Sequence, residues 1–141
     1  MTPEQIEAFL ARPTVAVLST VDDAGRPRSA PVWFHWEDGA AYMFTARTSL
    51  KWRNLQARPH AALCIDTREP PYAAVVLDGR VEAVEDPARL YEVVLASATA
   101  YYGDEPGREF AEPYRAGRPG TVLFRLTPRQ LRGWDYAGGE S

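Results

Sequence analysis

Apolar and polar positions along this chain alternate in short runs broken by polar turns, and only a few stretches follow a helical period. Residues 14–20 are apolar and rich in β-branched side chains, which predicts a strand; Asp22, Asp23 and Gly25 then supply turn chemistry. Residues 27–36 predict a second strand, with Ser29, Pro31, Trp33 and His35 on one face and Arg28, Ala30, Val32, Phe34 and Trp36 on the other. Asp38-Gly39 between apolar runs predicts a tight hairpin onto a third strand over 40–45. Residues 61–66 predict a fourth strand, and the segment 67–71, with Pro70 and Pro71, cannot pair well. The run 72–85 would span about 46 Å at about 3.3 Å per residue, long for one strand. Asp78-Gly79 near its middle predicts a bulge or bend. Residues 121–126 predict the last strand and 128–136 a short tail.

Helix signals are fewer. Thr2, Pro3 and Gln5 read as N-cap, first-turn proline and capping-box partner for a helix reaching about Leu10. Ser49 caps a second helix that runs to about Ala57 and ends before Pro59. Asp86-Pro87 opens a third, with Leu90, Val94, Leu95 and Ala98 facing inward up to about Tyr102 and Gly103 as its stop. Residues 106–116 predict a further helical stretch. Antiparallel hairpins with helices at the rim predict a mainly β fold: one domain over 1–141, a small β-barrel with peripheral helices. No Gly-x-Gly-x-x-Gly follows a strand, so nothing points to a dinucleotide fold.

Composition narrows the function classes. A net charge of -3 argues against a nucleic-acid partner, which selects a basic face. No apolar run approaches the roughly 20 residues of a membrane span, and the N-terminus has no signal-peptide pattern, so the expectation is a cytoplasmic protein without a membrane partner. Cys64, the one cysteine, reads as a buried inert thiol, and no Cys/His spacing suggests a metal. His35 and His60 share no motif, and no residue is assigned a catalytic role.

One segment carries chemistry. Of sixteen basic residues Lys51 is the only lysine, and it follows Thr45, Thr48 and Ser49 where a strand ends and a helix begins. Backbone N–H groups, hydroxyls and a cation in one turn are what a phosphate requires. The plainer reading is a solvated lysine beside an ordinary cap.

In order, Gly25-Arg26-Pro27-Arg28-Ser29-x-Pro31-Val32-Trp33-Phe34, Phe44-Thr45, Ser49-x-Lys51-x-x-Asn54-Leu55 and Pro59-x-Ala61-x-Leu63 resemble the split-barrel flavin and deazaflavin oxidoreductases, relatives of pyridoxamine 5'-phosphate oxidase. Pro70-Pro71-Tyr72, Gly79-Arg80-Val81-Glu82, Leu126-Thr127-Pro128 and Trp134-Asp135-Tyr136 extend the likeness over most of the chain. The resemblance implies a six- to seven-stranded antiparallel split barrel of the FMN-binding type. It also implies a homodimer with cofactor sites at the subunit interface and a small-molecule hydride acceptor. Carried over residue by residue, it implies that Thr45, Ser49 and Lys51 hold the cofactor phosphate, with Arg28 opposite. The ring would lie against the strand-two backbone near Pro31, Val32 and Trp33, Ser29 is a further cofactor-binding candidate, and Trp134 would approach from the partner chain. Asn54 either bonds the cofactor or ties its helix to a neighbour, and Tyr101 and Tyr102 either line the substrate mouth or only pack. The chain is shorter than the true pyridoxamine phosphate oxidases and lacks their Arg/His-rich closing pattern. It resembles more the branch that uses coenzyme F420, with FMN next; a non-catalytic flavin- or haem-binding protein is the alternative outside the enzymes.

Overall fold

The computed structural model describes residues 1–135. Its elements in chain order are α1 (Pro3–Leu10), β1 (Ala16–Val21), β2 (Pro27–Val32), β3 (His35–Glu37), β4 (Ala40–Ala46), α2 (Leu50–Ala57), β5 (His60–Asp66), β6 (Ala73–Ala83), α3 (Pro87–Tyr102), α4 (Asp104–Ala111) and β7 (Thr121–Asp135), with a 3-10 turn at Glu112–Tyr114. The local signals act where the sequence puts them. Thr2 Oγ1 accepts from the Gln5 N–H at 3.1 Å while Gln5 Oε1 accepts from the Thr2 N–H at 2.8 Å, closing both ends of the capping box. Asp38 and Gly39 take φ of 51° and 75°, the left-handed pair of a two-residue hairpin turn between β3 and β4.

All seven strands form one antiparallel sheet in the order β2-β1-β5-β6-β7-β4-β3. β2 and β3 stand at opposite edges, yet only Trp33 and Phe34 lie between them. Three peptide steps reach at most about 10 Å. The sheet must therefore curl until its two edges nearly meet, and the unclosed seam falls at Trp33. This is a mainly β split barrel with peripheral helices. It corrects the expectation of a single strand over 27–36: the chain changes edges there, and Trp33 no longer shares a strand face with Ser29 and Pro31.

The other correction concerns the C-terminal segment. Instead of ending near Leu126, β7 runs on to Asp135, pairing with β4 and along the whole of β6. Asp78 faces Gln130 and Gly79 faces Pro128, so Arg129 is the extra residue of a bulge. Pro128 lacks an N–H to donate, and a bulge tolerates that loss. Gly79 is required there, because a Cβ would stand 1.9 Å from the Thr127 carbonyl oxygen.

Two cores follow from strand alternation. Leu18, Met43, Leu63, Ile65, Leu77 and Phe124 fill the barrel. Tyr42, Leu90, Val93, Val94 and Leu123 form a second cluster between α3 and the outside of the sheet. β4 is thus covered on both faces, which explains its unbroken apolar run Ala40-Ala41-Tyr42-Met43-Phe44. Arg89, paired with Glu37 and Glu92 and lying 4.6 Å over the Tyr42 ring, pins α3 to that hairpin.

Candidate functional site

The turn between β4 and α2 closes around two hydroxyls and one ammonium. Ser49 is the N-cap of α2, its Oγ accepting from the Trp52 N–H at 3.2 Å. Thr45 Oγ1 donates to that same Oγ at 3.1 Å, and Lys51 Nζ donates to Thr45 Oγ1 at 3.3 Å. Three of the predicted residues therefore converge on one point at the positive end of a helix. Among the described residues no carboxylate forms an ion pair with Lys51; its ammonium leans on a hydroxyl, and its charge is not neutralised.

Lys51 borders a cavity of about 390 Å³ at the barrel seam. Pro31, Val32 and Trp33 wall one part of it, Phe44 another, and Tyr102 and Phe110 complete it from α3 and α4. Trp33 stacks on Tyr101 with ring centroids 5.0 Å apart and planes 7° from parallel. Tyr101 donates its hydroxyl to the Thr14 carbonyl at 2.7 Å, and burial pushes the phenol above its ordinary value, so it stays a donor. Two larger cavities, of about 740 Å³ beside α1 and about 930 Å³ near the bulge, include neither the lysine nor the aromatic wall, and one of about 440 Å³ adjoins the site at Phe44 and Thr45 without reaching the lysine.

The other predicted residues lie apart from this centre. Arg28 is opposite Thr20, and its Nε donates to Asp22 Oδ2 at 2.9 Å, so a carboxylate already answers its charge. Asn54 is 1% exposed and donates from Nδ2 to Thr20 Oγ1 at 3.2 Å, tying α2 to β1. Ser29 pairs with Ser19 through Oγ atoms 3.2 Å apart on the outer face of the sheet. Trp134 lies opposite Ala74, far along β7, with the Arg132 guanidinium 5.8 Å from its ring centre. Tyr136, which closes that motif, falls outside the described residues.

Phe110 and Val15 join the cavity lining without having been singled out in the sequence. Phe110 had a signal: it is the one large apolar side chain in the charged helix Asp-Glu-Pro-Gly-Arg-Glu-Phe-Ala. Cys64 has its thiol pKa raised, chiefly by burial and then by nearby Asp66, which keeps it protonated and unreactive. Among the described residues no three His, Cys, Asp or Glu side chains gather where a metal could bind, and no helix is long and apolar enough to cross a membrane.

Comparison with known proteins bears on the family and the fold. A pyridoxine/pyridoxamine 5'-phosphate oxidase of Myxococcus xanthus (strain DK1622) is 35% identical over 97 residues, 68% of this chain and 42% of that protein. The chain thus spans less than half the length of that relative. Among solved structures, a conserved hypothetical protein of Mycobacterium tuberculosis, Rv2991, matches with a TM-score of 0.83 at 23% identity, covering 96% of this chain and 86% of the other. A protein described as an F420 reductase matches at 0.66 with 24% identity, over 93% of this chain and 98% of its own. The haem storage protein HutZ of Vibrio cholerae matches at 0.70 with 22% identity, over 92% of each. These structural likenesses establish the fold alone. The family model described as pyridoxamine 5'-phosphate oxidase matches residues 2–135, and the chain belongs to that family.

Proposed function

We propose that this chain binds a flavin-type cofactor at the barrel seam and passes hydride to a small unsaturated acceptor, with coenzyme F420 as the first candidate and FMN as the second. The observation that carries this reading is Lys51: an ammonium with no carboxylate partner among the described residues, flanked by two hydroxyls at a helix start, on the border of an apolar aromatic cavity. The donor set fits a phosphate. A charge-assisted contact from Lys51 contributes about 1.5–3 kcal/mol, and the first turn of α2 adds up to about 1 kcal/mol. Val32, Trp33 and Phe44 would hold the ring system and exclude water from it. When bound, a reduced flavin or deazaflavin supplies a hydride to an acceptor carbon, and a proton from water completes the reduction.

F420 stands first because the chain resembles the deazaflavin branch in its motifs and an F420 reductase in its fold. FMN stands second because Thr45, Ser49 and Lys51 would grip any monoester phosphate. The likeness to a haem storage protein supports a third reading, a carrier without turnover. Parallel titration of the purified protein with F420 and FMN, followed by fluorescence, tests the reading. Binding of either at tens of micromolar or tighter is expected, and binding of neither overturns it.

A homodimer belongs to this proposal. On the outer face of the sheet Pro31, Val17, Cys64 and Val76 stand in one cross-strand row. Ala74 and Trp134 stand in a parallel row, and Val17, Cys64, Val76 and Trp134 are each half-buried in one chain. This largely apolar face, its first row continued on β7 by Arg132 opposite Val76, suits a second copy, which would bring Trp134 into contact with the partner. Light scattering should give the mass of two chains, and a monomer at micromolar concentration would remove that part.

A further inference from the structure

The two hydroxyls beside Lys51 come from opposite ends of one turn. Thr45 closes β4 and Ser49 caps α2, with Ala46, Arg47 and Thr48 between them. Within the turn, the Ser49 N–H donates to the Ala46 carbonyl at 3.0 Å and the two hydroxyls bond each other at 3.1 Å. Two hydroxyls serve one phosphate only while their spacing is kept, so a turn this short gains from an anchor outside itself.

Arg47 reaches such an anchor. The ladder between β4 and β7 ends at Ala46 and Thr121, and Arg47 carries the pairing one step into the turn. Its backbone N–H donates to the Gly120 carbonyl at 2.9 Å, and its side-chain Nε donates to the Pro119 carbonyl, also at 2.9 Å. The segment it grips is itself fixed. The Thr121 N–H donates to the Arg118 carbonyl and the Gly117 N–H to the Tyr114 carbonyl, each at 2.9 Å. At Gly117, where φ is 89°, a Cβ would stand 2.9 Å from Pro87 Cβ, so residues 117–120 start against the first turn of α3. The guanidinium also lies 3.5 Å from the Glu85 carboxylate, but these side chains are 43% and 72% exposed and water screens the pair. Arg47 lines a cavity of about 380 Å³ with Glu85, Leu90 and Pro119, which includes neither Lys51 nor Thr45. Its side chain therefore acts on the turn from behind.

We propose that Arg47 is a positioning residue for the phosphate turn. Through Nε it ties the turn to residues 117–120 and so to α3, and this sets where Thr45 and Ser49 stand when a phosphate binds. The proposal rests on the cofactor reading for the phosphate, and on the hydrogen bonds alone for the anchor. It makes the donor at Nε, rather than the charge, the part that matters.

The test is a pair of substitutions in the full chain. Arg47→Met keeps an unbranched side chain and removes both donor and charge. Arg47→Gln places an amide nitrogen where Nε stands and removes only the charge. Affinity is read by fluorescence for FMN against riboflavin, and for F420 against its phosphate-free deazariboflavin core. Arg47→Met should weaken FMN and F420 by about 5- to 10-fold and leave the two phosphate-free compounds within about twofold. Arg47→Gln should keep all four within about twofold of the parent. Amide hydrogen exchange at Ser49 and Trp52, measured without cofactor, should quicken in Arg47→Met and return to the parent rate in Arg47→Gln.

Where the parent binds FMN or F420, equal losses in both variants would assign the effect to charge. Equal losses with and without the phosphate would assign it to general destabilisation. Either result, or full affinity in Arg47→Met, overturns the proposal and leaves the cofactor reading standing. If the parent binds neither cofactor, that reading falls and exchange decides: protection lost in Arg47→Met and regained in Arg47→Gln upholds the anchor, and unchanged protection overturns it.

Discussion

Two polar turns, 22–28 and 45–51, look alike in composition and differ in what they leave unanswered. In the first, Asp22 is surrounded. Its Oδ1 accepts from the Ala24 and Arg26 N–H groups, each at 2.9 Å, and its Oδ2 accepts from Arg28 Nε. Those bonds, led by the one from the Arg26 backbone, hold its carboxyl below the ordinary value. The Asp22 carboxylate is thus fully answered within the turn. In the second, the two hydroxyls bond to each other, Ser49 Oγ also accepts from the Trp52 N–H, and among the described residues the ammonium of Lys51 has no anion. A closed turn stabilises its own conformation; an open one keeps interaction energy for something absent from the chain. Charge alone therefore does not mark a site; what distinguishes the second turn is an ammonium with no ion pair among the described residues, beside two hydroxyls at a helix start on the border of a cavity.

The largest expected effect strikes the open turn. Lys51→Ala should weaken cofactor binding by about 10- to 100-fold, read by fluorescence titration, with little change in the melting temperature. Equal affinity in the variant would erase the distinction between the turns. Asn54→Ala should do the reverse. It removes a buried partner of Thr20 and should cost about 1–3 kcal/mol in urea unfolding, with cofactor affinity nearly unchanged. A loss of affinity comparable to that of Lys51→Ala would return Asn54 to the cofactor site.

Ser49→Ala probes a group that serves both stability and binding. Loss of the cap should cost about 1 kcal/mol of stability, and affinity should fall by about 3- to 5-fold. Arg28→Ala sharpens the contrast further: because Asp22 already answers this guanidinium, the affinity loss should be at most about threefold.

The smallest effect is in pH. With a folded pKa below its unfolded one, Asp22 contributes stability that is fully present above the ordinary carboxylate value of 3.8 and is lost as pH falls through the depressed value. Asp22→Asn should flatten that acid limb of a stability–pH curve and leave the curve near neutrality parallel to that of the parent. An unchanged acid limb would show that the closed turn owes nothing to its carboxylate.

Most of the fold was legible because its signals are local. Capping by Thr2, Ser49 and Asp86, the Asp38-Gly39 turn and the bulge at Asp78-Gly79 each depend on a few neighbouring residues, and each formed where the pattern put it. The seam and the long β7 were not legible. Alternation over 27–36 continues unbroken through Trp33, although the backbone changes sheet edge there. Residues 128–136 read as a tail rather than a strand because the partner of Pro128 across the bulge, Gly79, is 49 positions away in the chain.

The candidate site divides the same way. Thr45, Ser49 and Lys51 lie within seven consecutive positions, so a single strand-to-helix turn was enough to bring them together. Sequence also supplied the family likeness, through the order of its motifs. Tertiary structure alone decided that Arg28 is answered by Asp22, that Asn54 is a buried tie, and that Trp33, Tyr102 and Phe110 meet at one cavity. Turns and caps follow from a few adjacent dihedrals, whereas the partner of a charge and the neighbours of an aromatic ring depend on how a curled sheet brings distant segments into contact.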